Sequence, residues 1–414
     1  MENAPNIPAI DNDKLNLLSA EVRFIRAYLY SRLIMLYGDV PLVTNSIDDI
    51  LEGNNLSRTD MNQIWNFITD ELSWCSTVLP EKQNEKGRIT KGAALSLLGR
   101  SYLYQGKWQE AAKVSKSVMG MKVYKIYDSY KNLFAYEGEN NIEVILDKQH
   151  IKDSYSNNVF SLLAPFSIKK QGPTFVPTKK IYDAYRMNNG LLINENNSGF
   201  SYETQYENRD PRLYYSIFLP GDTLPDGNIY NPIPGEGGLD EVGSTYLATS
   251  LGFNIKKYIN KEDVANPSNC GINIILIRYA EVLLNYAEAK IELNDIDDSV
   301  FEAINEIRRR KDVNMPDVDK NISQAQLLEL VRNERMVELA FEGHRLFDCR
   351  RWKTAEKEFP GIVEGIVYKN NDGDWITVQI GGFTKVFNPD KHYLWPIPQK
   401  EIDLNKNFVQ NPNW

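Results

Sequence analysis

The chain has 414 residues, 42% of them hydrophobic and 25% charged, which is apolar enough for one large domain or two and too apolar for a disordered chain. Its 56 acidic residues outnumber 47 basic ones, and the net charge of −9 opposes a nucleic-acid partner because the basic runs Arg308-Arg309-Arg310 and Arg350-Arg351 are short. Three scattered cysteines (Cys75, Cys270, Cys349) and three scattered histidines (His150, His344, His392) have no CxxC or HExxH spacing, so neither a disulfide framework nor a metal-dependent hydrolase is expected, and no cofactor.

The first residues have neither a basic segment nor an apolar one, and no apolar run approaches the roughly 18 residues that span a bilayer, so the sequence as it stands reads as soluble. Val22, Ile25, Leu29, Leu33 and Leu36 recur at steps of three and four, predicting a helix from about Leu18 to Tyr37 with that stripe inward. Met61, Ile64, Ile68, Leu72, Cys75 and Leu79 predict a second helix, stopped by Pro80, that completes an antiparallel pair. After Gly87, a second pair turns at Gly106, with Ala94, Leu97, Leu98 and Tyr102 on one helix and Trp108, Ala111, Ala112, Ser115 and Val118 on the other.

A long segment of different character follows, opening on Glu143-Val144-Ile145-Leu146 and then rich in Asn, Gly, Pro and Tyr. Long ordered loops on a rigid scaffold are where binding sites concentrate. Sugar rings present C–H faces that stack on aromatic rings, and their hydroxyls bond to amides and guanidiniums. Tyr155 with Asn157 and Asn158, Tyr202 and Tyr206 with Asn208 and Arg209, and Tyr230 with Asn228 and Asn231 have that composition. The candidate ligand set is therefore Tyr155, Asn157, Tyr202, Tyr206, Arg209 and Tyr230, against the plainer reading that each tyrosine fills a gap beneath a loop. Arg209-Asp210-Pro211-Arg212 reads as a structural turn with a salt-bridged aspartate. Gly235-Glu236-Gly237-Gly238 lacks the Gly-Lys-Ser/Thr ending of a phosphate loop and reads as a flexible turn.

Ile277, Ala280, Leu284, Ala287 and Ile291 predict a third helix pair, turning at Asn294-Asp295 into a helix with Val300, Ile304 and Ile307. The spacing of Gly106, Trp108 and Ala111 recurs in Asn294, Ile296 and Ser299, which is tetratricopeptide-like helix-turn-helix grammar. A fourth pair spans Gln324 to about Lys353, with Leu327, Leu330, Val337 and Phe341 in register and Glu334 on the same stripe. Glu334, Glu338 and Glu342 lie four apart, and carboxylate pairs do run glycoside hydrolysis, but across a cleft and not along one helix. They read as ion-pair partners for nearby arginines such as Arg335, Arg345, Arg350 and Arg351, and Glu281 and Glu288 as partners for arginines such as Arg278 or Arg308. Trp65, Trp108 and Trp352 read as packing residues, Trp395 as an anchor for the C-terminal segment. A hairpin is predicted from Trp375-Ile376-Thr377-Val378 through Gly381-Gly382 to Val386-Phe387.

Five stretches carry a resemblance: AEVRFIRAY from Ala20 running into YGDVPL from Tyr37, Lys91 to Tyr104, IRYAE from Ile277 to Ala289, NERMVELAFEGHRLFDCRRW from Asn333, and LWPIP from Leu394 to Asn411-Pro412. In order and spacing they resemble the SusD/RagB family of outer-membrane nutrient-binding lipoproteins. The resemblance implies a mainly α-helical protein whose four tetratricopeptide-like pairs form a right-handed superhelical scaffold, with a long irregular, loop-rich insertion and small β-hairpins. It divides the chain into an N-terminal part (1–127), a ligand-binding insertion (128–270) and a C-terminal part (271–414). It also implies a non-catalytic glycan-binding protein on the extracellular face of the outer membrane, lying as a lid over a SusC-class TonB-dependent transporter. Some members deliver peptides instead. Family members carry a longer section before the AEVRFIRAY stretch, with a secretion signal, a lipid-accepting cysteine and part of the sugar platform, none of which is found in this sequence. Two rival readings are a tetratricopeptide-type scaffold that binds peptides in its concave face and a glycoside hydrolase.

Overall fold

The structure is a computed structural model that describes residues 11–47 and 49–414; it is mainly helical, with three small antiparallel two-stranded sheets among those residues. It divides into two compact units, one of Met1–Val123, Leu346–Pro360 and Val386–Trp414, the other of Tyr124–Arg345 and Gly361–Lys385. The chain therefore leaves and re-enters the first unit.

In the first unit, helices α1 (Asn12–Tyr37), α2 (Met61–Val78), α3 (Lys91–Tyr104) and α4 (Trp108–Gly120) pack in succession. Side chains of Asp11, Asp60 and Thr90 accept from backbone N–H groups of the first turns of α1, α2 and α3, which sets where these helices start. The predicted α2 stripe is the buried one: Ile64, Ile68, Leu72 and Cys75 are fully covered. The predicted α1 stripe is not. Val22, Ile25, Leu29 and Leu33 are 49%, 50%, 60% and 38% exposed, and the covered face is Ala20, Phe24, Ala27, Ser31 and Ile34. Both sets recur at steps of three and four, and the set with small residues wins because it permits closer packing. Between α3 and α4 the same principle operates at Gly99, where a Cβ would stand 3.1 Å from Ser115 Oγ.

Trp65 is buried, whereas Trp108 and Trp352 are half-buried. Trp395, 43% exposed, is held by its own backbone N–H, which donates to Leu36 O at 2.7 Å. Asn411 completes the anchor by donating to Tyr37 O and Trp395 O. The three cysteines are free and buried.

In the second unit, β1 (Val144–Lys148) pairs with β4 (Ile274–Arg278), and β2 (Ile217–Phe218) with β3 (Asn254–Ile255). Ile277, expected at the start of a helix, lies on β4, and the helix α7 begins one residue after Arg278. Counting the short helices α5 (Lys179–Ala184) and α6 (Pro211–Ser216) before it, the chain continues with α7 (Tyr279–Glu292), α8 (Asp298–Arg308) and α9 (Gln324–Glu338); α7 packs on both α8 and α9. A capping box between Ser323 and Gln326 starts α9. Positive φ at Phe341 and Gly343 breaks the chain before α10 (Arg345–Arg351), whose residues from Leu346 onward belong to the other unit.

The hairpin differs from its prediction. Its strands are β5 (Gly361–Lys369) and β6 (Trp375–Lys385), with Lys369 opposite Trp375. The turn is made by Asn370, whose Oδ1 accepts from Asp372 N and Asp374 N, and by Gly373 at φ 91°. Gly381-Gly382 lies instead within β6, where the register slips between the Glu364–Gln379 and Ile362–Thr384 pairs. Strand β5 is seated against the loop before β3: Ile366 N donates to Leu251 O at 2.8 Å, and a Cβ on Gly365 would run into that same carbonyl. Because the obstacle is backbone, Gly365→Ala is expected to destabilise the protein by at least about 2 kcal/mol, read as a lowered urea midpoint at unchanged slope.

Candidate functional site

One exposed and two buried layers of hydrogen bonding shape the segment from Ser201 to Arg209. Ser201 Oγ accepts from Thr204 N and starts a short turn at Tyr202–Thr204. Gln205 then locks downward: its carbonyl accepts from Tyr182 OH at 2.7 Å and Arg209 Nη1 at 3.0 Å, and its Nε2 donates to Val367 O of β5 at 2.9 Å. Arg209 Nη2 donates to the carbonyls of Tyr182 and Tyr185, and the Arg209 guanidinium lies over the Tyr182 ring.

With Gln205 tied to β5, Tyr202 comes beside Trp375 at the start of β6. Their ring centroids are 5.5 Å apart and the planes are inclined by 35°. Phe200 meets Tyr202 edge-on, and Lys369 Nζ lies 5.5 Å from the Trp375 ring. Around them opens a groove of about 290 Å³, whose lining includes Tyr206, Tyr368, Glu203, Glu207, Glu236 and Lys369. Tyr202 is 36% exposed, Tyr206, Tyr368 and Trp375 are half-buried, and the four charged side chains are exposed. Two inclined rings with polar groups at their rim suit a ligand with both apolar faces and hydroxyls.

The sequence-derived candidates separate cleanly. Tyr202 and Tyr206 meet in this groove. Arg209 and Tyr230 must be withdrawn: they are 1% and 0% exposed, Arg209 serves the carbonyls named above, and Tyr230 OH bonds to Gly252 O and Asn254 Oδ1. Asn157 is spent on backbone groups, donating to Ile272 O and accepting from Val159 N. Tyr155 is 56% exposed but outside the groove, stacked on His150 at 5.2 Å. Trp375 and Tyr368 were missed. A signal existed, since a tryptophan directly after the polar turn Asn370-Asn371-Asp372-Gly373-Asp374 stands at the exposed end of a strand, where a large ring is not needed for packing.

The helix-face carboxylates lie in a different place and do different work. Glu334 pairs with Arg212 and Arg308, Glu338 with Arg212, Arg278 and Arg310, and Glu342 with Arg278 and Lys257; Glu143 adds contacts to Arg278 and Arg310, and Asp210 to Arg212. Five cations thus meet five carboxylates, all under 5% exposed at the side chain. The ion-pair reading holds, with partners that come from distant segments: Arg212, Arg278, Arg308, Arg310 and Lys257. Glu281 approaches Arg335 at 4.0 Å. The turn Asp210-Pro211-Arg212 is as read, with Asp210 capping α6 and bridged to Arg212 at 2.7 Å.

Burial alone would raise the Glu338 carboxyl, but Arg310, Arg278 and Arg212 hold it well below the usual carboxylate range. Glu334 and Glu342 are lowered in the same way. Burial pushes Lys257 down to about 8, even with Glu342 beside it. Carboxylates held ionised and fully paired make poor proton donors, so this cluster is a structural lock. Among the described residues, no three or more His, Cys, Asp or Glu side chains are grouped to hold a metal ion, and no helix is long and apolar enough to cross a membrane.

The fold is thus a helical scaffold with an open aromatic groove between the Ser201–Arg209 segment and the β5–β6 hairpin. The SusD family model matches residues 142–414, about two thirds of the sequence, and a second model, described as starch-binding associating with outer membrane, matches residues 7–103. The chain belongs to the SusD family. It is 25% identical to the SusD-like protein P2 of Formosa agariphila, over 97% of this chain and 74% of that protein. Among solved structures, it is similar to a SusD-like carbohydrate binding protein from Bacteroides fragilis at 29% identity and a TM-score of 0.88, covering 97% of this chain and 81% of that one. It is likewise similar to a laminarin-binding SusD-like protein at 25% identity and a TM-score of 0.71, covering 99% and 81%.

Proposed function

We propose that this chain captures a glycan at the Tyr202–Trp375 groove, without hydrolysing it, and delivers it to a SusC-class TonB-dependent transporter from the extracellular face of the outer membrane. The observation that carries the reading is the inclined ring pair opening onto a polar-rimmed groove in a chain of this family. The helix pairs serve as a tetratricopeptide-like scaffold, and the insertion from about residue 128 to 270 supplies the Tyr202 side of the groove. The carboxylates of the buried cluster, each matched by guanidinium or ammonium partners, support a non-catalytic role.

The test is affinity electrophoresis and calorimetry of the intact chain against soluble polysaccharides, with laminarin included because a structural relative binds it. Binding of one glycan class with no release of reducing sugar is expected. Sugar release would favour the hydrolase reading, and binding of peptides alone the scaffold reading.

A further inference from the structure

We infer that this groove selects neutral glycans and rejects polyanionic ones such as sulfated or uronate-rich polysaccharides; the inference rests on the groove being the glycan site. The charges that line it are Glu203, Glu207 and Glu236 against Lys369 alone, all exposed. Lys369 also stands over the Trp375 ring, whose negative face already engages its charge. Recognition of a sulfate or carboxylate needs donors that are not already used, above all guanidiniums or a nest of backbone N–H groups.

The guanidiniums that follow Glu207 in the chain, and the N–H groups of the glycine turn beside Glu236, are taken. Arg209 is buried and its Nη groups serve three backbone carbonyls, while Arg212 is locked by Asp210, Glu334 and Glu338. The glycine turn that carries Glu236 does offer backbone N–H groups, at Gly235 and Gly237, but Glu241 accepts from both, at 2.8 and 2.7 Å. An internal carboxylate thus occupies the anion-binding position and places a further negative charge next to Glu236. A neutral sugar meets none of this as a penalty, since carboxylates accept hydrogen bonds from hydroxyls. A polyanion threaded along the groove meets a concentrated negative rim, under a net charge of −9 for the whole chain.

The experiment titrates the intact chain with neutral polysaccharides (laminarin, galactomannan, xyloglucan), with carboxymethylated laminarin and with alginate and carrageenan, at low and at high salt. The carboxymethylated form is expected to bind at least about 10-fold more weakly than its neutral parent at low ionic strength, and the gap to shrink as salt screens the rim. The triple variant Glu203→Gln, Glu207→Gln, Glu236→Gln should narrow that ratio at low salt; all three side chains are exposed, and circular dichroism checks its fold. Equal or tighter binding of the polyanions overturns the inference while leaving glycan capture standing. A neutral preference that the triple variant leaves unchanged overturns the role given to these carboxylates. Silence toward every polysaccharide overturns both this inference and the reading it rests on.

Discussion

Replacing Trp375 by alanine is expected to weaken glycan binding at least about 30-fold, the loss that follows from removing a central aromatic anchor worth on the order of 2 kcal/mol. Removing Tyr202 as well should leave no measurable binding. Both rings are partly exposed and sit at the mouth of the groove, so the unfolding midpoint should stay within about 2 °C of the parent. Tyr155→Ala is the internal control: Tyr155 is more exposed than Tyr202 and was an equal candidate by composition, but it stacks on His150 away from the groove. Retained binding in Trp375→Ala with loss in Tyr155→Ala would move the site to the His150 surface. Tyr230→Ala is unsuitable for such a series, because it would empty a fully buried position and lower stability for reasons unrelated to a ligand.

Glu338→Ala should give the largest stability loss of any single side-chain truncation in the second unit. Glu338 is fully buried and contacts Arg212, Arg278 and Arg310, so its removal leaves guanidinium charge without a counter-ion where water cannot compensate. Breaking one partner of a buried pair costs about 3–5 kcal/mol, which lowers the midpoint by on the order of 10 °C. Glu302→Ala provides the contrast, since its pair with Arg309 is half-exposed and its loss should shift the midpoint by no more than about 1 °C. A Glu338→Ala shift as small as that would mean that the three arginines find other partners.

The same cluster fixes the direction of acid sensitivity. Glu334, Glu338 and Glu342 have folded values below the ordinary glutamate value of 4.5, so as pH falls through that value the unfolded chain takes up protons first. Their contribution is fully present above the ordinary range and is lost progressively below it. The midpoint should therefore be level near neutrality and fall steeply under pH 4.5, and a chain without Glu338 should fall less steeply.

Local pattern and chemistry determined much of this protein. The covered stripes of α2 and α8, the turn at Gly106, the capped Asp210-Pro211-Arg212 turn and the pairing of Glu334 and Glu338 with arginines follow from period, propensity and the cost of burying a bare charge. The family motifs were likewise legible, because they are runs of consecutive residues. Tertiary structure alone decided which of two equivalent stripes on α1 is covered, because period does not distinguish them and close packing does. It decided that Arg212, Arg278, Arg308 and Arg310, from distant segments, satisfy the helix carboxylates, since long side chains pair across space as well as along sequence. It also built the groove. Tyr202 and Trp375 are far apart in the chain, and their rings come together in a structure where Gln205 bonds to the β5 carbonyl of Val367 and the chain turns at Asn370.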